Sequence, residues 1–165
     1  KDSMLTILSW DWENNGTYHK YESMYRFAKG NSIYTNFLYE DKGDEEEAKT
    51  AIYYKIYQLP DTSYLIKGWG THGGGKDFFI FRKLSYKDQQ LQDCKGCFAG
   101  KDYFFFEKSR GDDLEITYYE ENKTISYPEL APHLKEGEET GFSVVTGKLN
   151  KLIYQDGKFI KLEEN

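Results

Sequence analysis

Only 3 prolines interrupt the 165 residues, and no apolar run approaches the ~20 residues that a membrane-spanning helix requires. A basic excess is missing as well: 22 Lys and Arg against 28 Asp and Glu leave a formal net charge of −6. A surface of that sign lacks the cationic footprint that neutralises phosphates, which argues against nucleic acid or an anionic membrane surface as the main partner. Cysteine is confined to Cys94 and Cys97, and histidine to His19, His72 and His133. They do not keep the spacing of a zinc site, so neither a metal nor another cofactor is expected. Sustained helical periodicity, internal repeats, low-complexity tracts and domain linkers are also absent, which leaves one domain, residues 1–165.

Aromatic residues are what the chain has in excess, with 15 Tyr, 11 Phe and 3 Trp. Flat rings pack well on a pleated surface, so this composition favours strands. Short strand-like segments follow one another between turn residues: Met4 to Asp11, Thr17 to Tyr21, Ser32 to Tyr39, Thr50 to Gln58, Ser63 to Trp69, Asp77 to Tyr86, Asp102 to Glu107, Leu114 to Tyr119, Thr124 to Tyr127, Phe142 to Lys148, Lys151 to Tyr154 and Phe159 to Leu162. Two hairpins carry clear turn chemistry. Asp156-Gly157 supplies the positive-φ positions of a type I′ turn, and Glu121-Asn122-Lys123 reverses the chain before TISY. Ser23 to Lys29 is ambiguous between a strand and one amphipathic turn. Pro128 is expected to end a strand, with Glu129 to Leu134 winding briefly before Gly137. The expected fold is all-β: a single-domain antiparallel β-sandwich or barrel with at most one or two short helical turns.

Gly70 and the Gly75-Lys76 pair, within GWGTHGGGKDFFIF, keep the G-x-x-x-x-G-K spacing of a phosphate-binding loop. Such a loop needs Ser or Thr after the lysine and then a helix. Here Asp77 follows, and DFFIFRKL has the character of a strand, so nucleotide binding is not expected. The simpler expectation is a flexible connection, since successive glycines allow conformations closed to other residues. The same stretch would place Trp69, Thr71 and His72 on a mobile, exposed loop of the kind that recognises ligands or partners.

Cys94-Lys95-Gly96-Cys97 is a redox couple, half of a zinc site or a small disulfide. A thioredoxin-like setting and further ligands are missing, so a disulfide is the leading expectation, consistent with export. In Ser9-Trp10-Asp11-Trp12 an extended chain puts both indoles on one face, as core or as an exposed platform for a sugar ring or an apolar anchor. Arg110-Gly111-Asp112 spells an adhesion tripeptide too short to carry weight. Asn15-Gly16-Thr17 and Asn122-Lys123-Thr124 match N-glycosylation acceptors but read more simply as turns. The acidic run Asp41 to Glu47 lacks the alternation of a calcium loop and reads as a solvated connection. No G-x-S-x-G, H-E-x-x-H or Cys/His signature of catalysis is present.

The order LTILSWDWENNGTYH, YYKIYQL, TISYPEL and TGKLNKLIYQDGKFIKL resembles small exported, often lipid-anchored proteins of Bacteroidetes, with their early "SWD…GT" strand pair and closing strand-turn-strand. The likeness touches most of the chain. It implies an envelope location (periplasmic, cell-surface or secreted) and names no activity. Asp2-Ser3-Met4 also matches the O-glycosylation acceptor pattern of those bacteria. The start at Lys1 rather than Met is expected of a mature or trimmed fragment, and a lipid anchor, if the protein carries one, is expected on a removed leader.

The function expected is a non-catalytic exported domain that recognises a protein, an inhibitor's target among them, or a glycan. Trp69, Thr71 and His72 would make the loop contacts, with Trp10, Trp12 and Tyr18 beside them. The alternatives are a hydrolase with a carboxylate or His72 pocket, and a structural module of an envelope assembly.

Overall fold

The computed structural model describes residues 3–12, 19–39 and 50–162. All regular structure among them is β. Tyr18, the acceptor Asn15-Gly16-Thr17 and the acidic run 41–47 lie outside the described residues.

Among the described residues, twelve strands form three antiparallel sheets, none closed into a barrel. The first sheet holds β1 (Ser3–Asp11), β2 (Tyr21–Lys29) and β3 (Ser32–Tyr39) in that order. The second runs β4 (Ile52–Gln58), β5 (Tyr64–Gly73), β6 (Lys76–Lys87) and β7 (Gln90–Asp93), with β8 (Tyr103–Ser109) paired to the first half of β6. The third is ordered β12 (Lys158–Lys161), β11 (Glu138–Gln155), β10 (Thr124–Lys135) and β9 (Thr117–Tyr119).

The second sheet is the middle layer of a stacked sandwich. Side chains alternate across a strand, so β6 presents Phe78, Ile80 and Leu84 to one side and Phe81 to the other. Phe78, Ile80 and Leu84 pack with Ala51, Tyr53 and Ile66, and Ile7 and Leu38 of the first sheet lie against them. Phe81 packs with Ile125, Leu152 and Phe159 of the third sheet, together with Leu65 and Phe106. A strand covered on both faces reads as a continuous bulky run, and DFFIFRKL is one.

Cations on this layer are buried with partners, as the cost of desolvation demands. Arg82, 2% exposed, donates to both carboxylate oxygens of Asp93 at 2.9 and 2.8 Å and to the Tyr53 hydroxyl at 3.1 Å. Lys67 donates to the carbonyl of Ile116 at 2.6 Å and lies 5.1 Å from the centre of the Phe79 ring. Burial pushes the Lys67 pKa down, against the nearby charge of Glu115. Lys83 pairs with Asp61 at 2.8 Å.

Two-residue turns close the hairpins at Gly74-Gly75, Asp88-Gln89, Glu136-Gly137 and Asp156-Gly157, every one of these residues having positive φ. Their twist matches that of the flanking strands. Ser23 to Lys29 is strand, alternating buried Ser23, Tyr25 and Phe27 with more exposed neighbours.

The helical turn expected at Glu129 to Leu134 is corrected: β10 continues as strand through Pro128 and Pro132. Register shifts fall between Pro128 and Leu130 and between Pro132 and Leu134, and β9 accompanies β10 only as far as Ser126. Beyond that point β10 borders its sheet, where bulges accommodate a residue with no N–H to donate. Phe142 to Lys148 and Lys151 to Tyr154 merge into the single strand β11.

Candidate binding groove

The glycine-rich stretch is a hairpin rather than a mobile loop. β5 extends to Gly73, Gly74-Gly75 turn, and β6 begins at Lys76. A Cβ on Gly70 would lie 2.4 Å from the Phe78 ring and 2.8 Å from that of Tyr21, and one on Gly68 would lie 2.9 Å from Tyr53. These two glycines therefore permit close packing against aromatic rings, while Gly74 and Gly75 serve the turn. The G-x-x-x-x-G-K spacing spans strand, turn and strand, and no helix follows the lysine.

Thr71 is 4% exposed and committed within the fold. Its N–H donates to the Tyr21 hydroxyl at 3.0 Å, its Oγ1 donates to the carbonyl of Lys76 at 2.8 Å, and the Arg110 guanidinium donates to that Oγ1. Trp69, half-buried, precedes it on the same face of β5. His72 follows on the strand. Trp10 is half-buried near the end of β1. Trp12 lies beyond the strand, 49% exposed, with its N–H donating to the carbonyl of Lys20 at 3.0 Å. The structure thus does not gather the tryptophans of the first sheet and the β5 residues into one exposed loop cluster.

Polar and charged groups near this end pair with one another. Asp11 hydrogen-bonds His19 through Nδ1, Arg110 reaches Asp77 at 3.2 Å, and Lys76 reaches Glu107 at 2.8 Å. Tyr21 is pushed up in pKa chiefly by burial, with the charges of Asp11 and Asp77 adding to it. Among the described residues, no group of three His, Cys, Asp or Glu side chains stands where it would hold a metal ion.

A concavity among the described residues lies elsewhere, along β8 and between the second and third sheets. It is an open groove of about 850 Å³, with Phe104, Tyr127 and Leu152 among its lining residues. Tyr103, Phe104 and Phe105 all line it. Three consecutive residues of a strand point to alternate faces, so the groove runs along the margin of β8. Phe104 and Tyr127 meet with ring centres 4.8 Å apart, and burial pushes the Tyr127 pKa up. Lys101 and Lys161 are exposed at the rim.

One wall is the turn before β8, and it is firmly held. The sulfurs of Cys94 and Cys97 are at disulfide distance, with Cα atoms 5.8 Å apart. Asp102 accepts from the Gly96 N–H and from Lys95 Nζ, each at 2.8 Å. Phe98 and Lys101 exchange backbone hydrogen bonds of 2.8 and 2.9 Å. The Ala99 N–H donates to the carbonyl of Phe159, and the Phe159 N–H to that of Cys97, both at 2.7 Å. The Phe98 and Phe159 rings stack with centres 5.1 Å apart. A pinned wall of this kind keeps a groove open without ligand and lowers the ordering cost of binding.

Sequence reasoning did not select Tyr103, Phe104, Phe105, Tyr127, Lys101 or Lys161. The run YFFF was a visible signal, because aromatic side chains on both faces of a strand need cover on both sides. Its partners come from segments distant in sequence.

Compared with known proteins, the chain matches no family model, no curated protein and no solved structure. The resemblance to exported Bacteroidetes proteins therefore rests on the sequence motifs alone. No helix among the described residues is long and apolar enough to cross a membrane.

Proposed function

We propose that this chain is a non-catalytic binding domain that holds a protein segment in the groove beside β8. The observation that carries the proposal is the set of half-buried rings, Tyr103, Phe104, Phe105 and Tyr127, lining one pinned, open groove. Large rings offer contact area at little rotamer cost and suit apolar anchors. Lys101 and Lys161 on the rim, in a chain of net charge −6, favour acidic residues flanking the anchor. A glycan is the weaker fit, because Asp102, the groove's carboxylate, is already engaged by Lys95 and Gly96. The cysteine pair at disulfide distance supports an oxidising, exported location.

A peptide-display library selected on the protein tests this reading. Selected peptides should combine apolar or aromatic anchors with acidic residues. Their Kd should rise about tenfold or more on Tyr127→Ala or on the pair Lys101→Glu and Lys161→Glu. Peptides that bind wild type and both variants equally, or a glycan that binds in their place, would refute it.

A further inference from the structure

The first sheet has two faces, and the described residues cover one. Leu5, Tyr25 and Phe27 are buried against the middle layer, while the alternate residues face outward. Pairing register places these outward residues in rungs across the three strands. Met4, Ala28 and Ile33 form one rung, Thr6, Arg26 and Thr35 the next, and Leu8, Met24 and Phe37 the third, with Glu22 beyond it on β2. Met4 is 58% exposed, Leu8 65%, Ile33 57% and Phe37 44%. Apolar surface gathered on one sheet face in this way marks an interaction surface.

We infer that this face is where a second copy of the chain docks. Charge placement selects that occupant. Consider a two-fold axis lying between the sheets, crossing the strands at the Leu8, Met24 and Phe37 rung. It stacks each strand antiparallel on its own copy, so the residue two before Met24 faces the residue two after it. Glu22 then meets Arg26 of the second copy, and Arg26 meets its Glu22, with the apolar rung packed on itself between them. Such an interface is self-complementary, as a two-fold dimer requires. The face carries one charge of each sign on β2 and so offers nothing net to an anionic membrane.

Its size sets its strength. Nine-residue strands rising about 3.3 Å per residue, on three strands about 4.8 Å apart, give a footprint of about 400 Å² per copy. That falls below the ~800 Å² per partner of a standard stable complex, so the dimer dissociates in the micromolar range or above.

Sedimentation equilibrium of the full chain from about 1 to 500 μM tests the inference, with circular dichroism confirming that each variant is folded. The wild type should pass from 19.4 kDa monomer to dimer across that range. Glu22→Arg or Arg26→Glu alone sets like charges against each other twice per dimer and should weaken association about tenfold or more. The double exchange of both residues should restore it, and Leu8→Lys should abolish it. A wild type that stays monomeric throughout overturns the inference. So does a dimer that the double exchange leaves as weak as the single variants. Tyr127→Ala, in the groove, should leave dimerisation unchanged.

Discussion

Replacing Gly70 with alanine separates a packed strand from a mobile loop. The added methyl carbon would sit 2.4 and 2.7 Å from two atoms of the Phe78 ring and 2.8 Å from the Tyr21 ring. Carbon atoms prefer about 3.5–4.0 Å, so the rings must retreat by about 1 Å. Both are 1% exposed, so their retreat must be taken up within the packed interior. Overpacking of this kind costs about 1–3 kcal/mol. Retreat of Tyr21 also weakens its 3.0 Å bond from the Thr71 N–H, and an orphaned buried donor costs about 1–3 kcal/mol more. Relief of the backbone entropy of glycine returns no more than about 1 kcal/mol. The net expectation is a loss of about 3 kcal/mol, a large share of the ~5–15 kcal/mol of a typical domain. Urea unfolding followed by tryptophan fluorescence should show a lower midpoint with an unchanged slope. Phe78→Leu in the alanine background should recover part of the loss, because the two changes meet at one contact. Gly70→Ala within about 0.5 kcal/mol of wild type would refute the reasoning, since the low ends of the two costs less the glycine relief still leave about 1 kcal/mol.

Three further outcomes are expected. Burial works to raise the pKa of Asp61, but hydrogen bonds from Lys83 and Ser63 outweigh it and hold the carboxyl at about 2, below the ordinary 3.8. The stabilisation it lends is therefore complete above about pH 4 and is lost as pH falls toward 2. Asp61→Asn should flatten that part of the profile of urea midpoint against pH, and an unaltered profile would remove the assignment. Asp93→Ala leaves the Arg82 guanidinium buried without its carboxylate, at a cost of about 3–5 kcal/mol, whereas Arg82→Met with Asp93→Leu should cost less; thermal melting compares them. Tyr118 is pushed up to about 12 by burial first and by the charge of Glu120 next. Native stability should then decline between about pH 10 and 12, with its phenolate absorbance lagging behind that of exposed tyrosines.

Local chemistry in the sequence was readable where it acts locally. Asp156-Gly157 and the turn before Thr124 specify their hairpins by backbone preference alone, and both occur as expected. Ser23 to Lys29 resisted assignment because its inward set includes Ser23, which blurs a period of two. Pro128 suggested an end to the strand, since its tolerance depends on β9 stopping at its partner Ser126, a fact of tertiary pairing. The glycine-rich stretch read as a flexible connection because the rings that crowd Gly68 and Gly70 belong to Tyr53, Tyr21 and Phe78 on three other strands. The groove was hidden for the same reason: Phe104 and Tyr127 touch only after two sheets have stacked.

Each sheet is one unbroken stretch of the chain, and this has a consequence for how the molecule is made. Apart from β6 with β8, pairing partners are sequence neighbours, so most hairpins can zip without closing long loops, which favours rapid folding for an all-β chain. Stacking is another matter. When β8 leaves the ribosome, the middle sheet can already rest on the first, yet Phe81 and Phe106 still await the third. About 50 residues separate the end of β8 from the end of β12, which at ~5–20 residues per second is several seconds of synthesis. For that interval one whole face of the middle sheet lacks its cover, and it is then that the nascent chain is most open to aggregation and most in need of a chaperone.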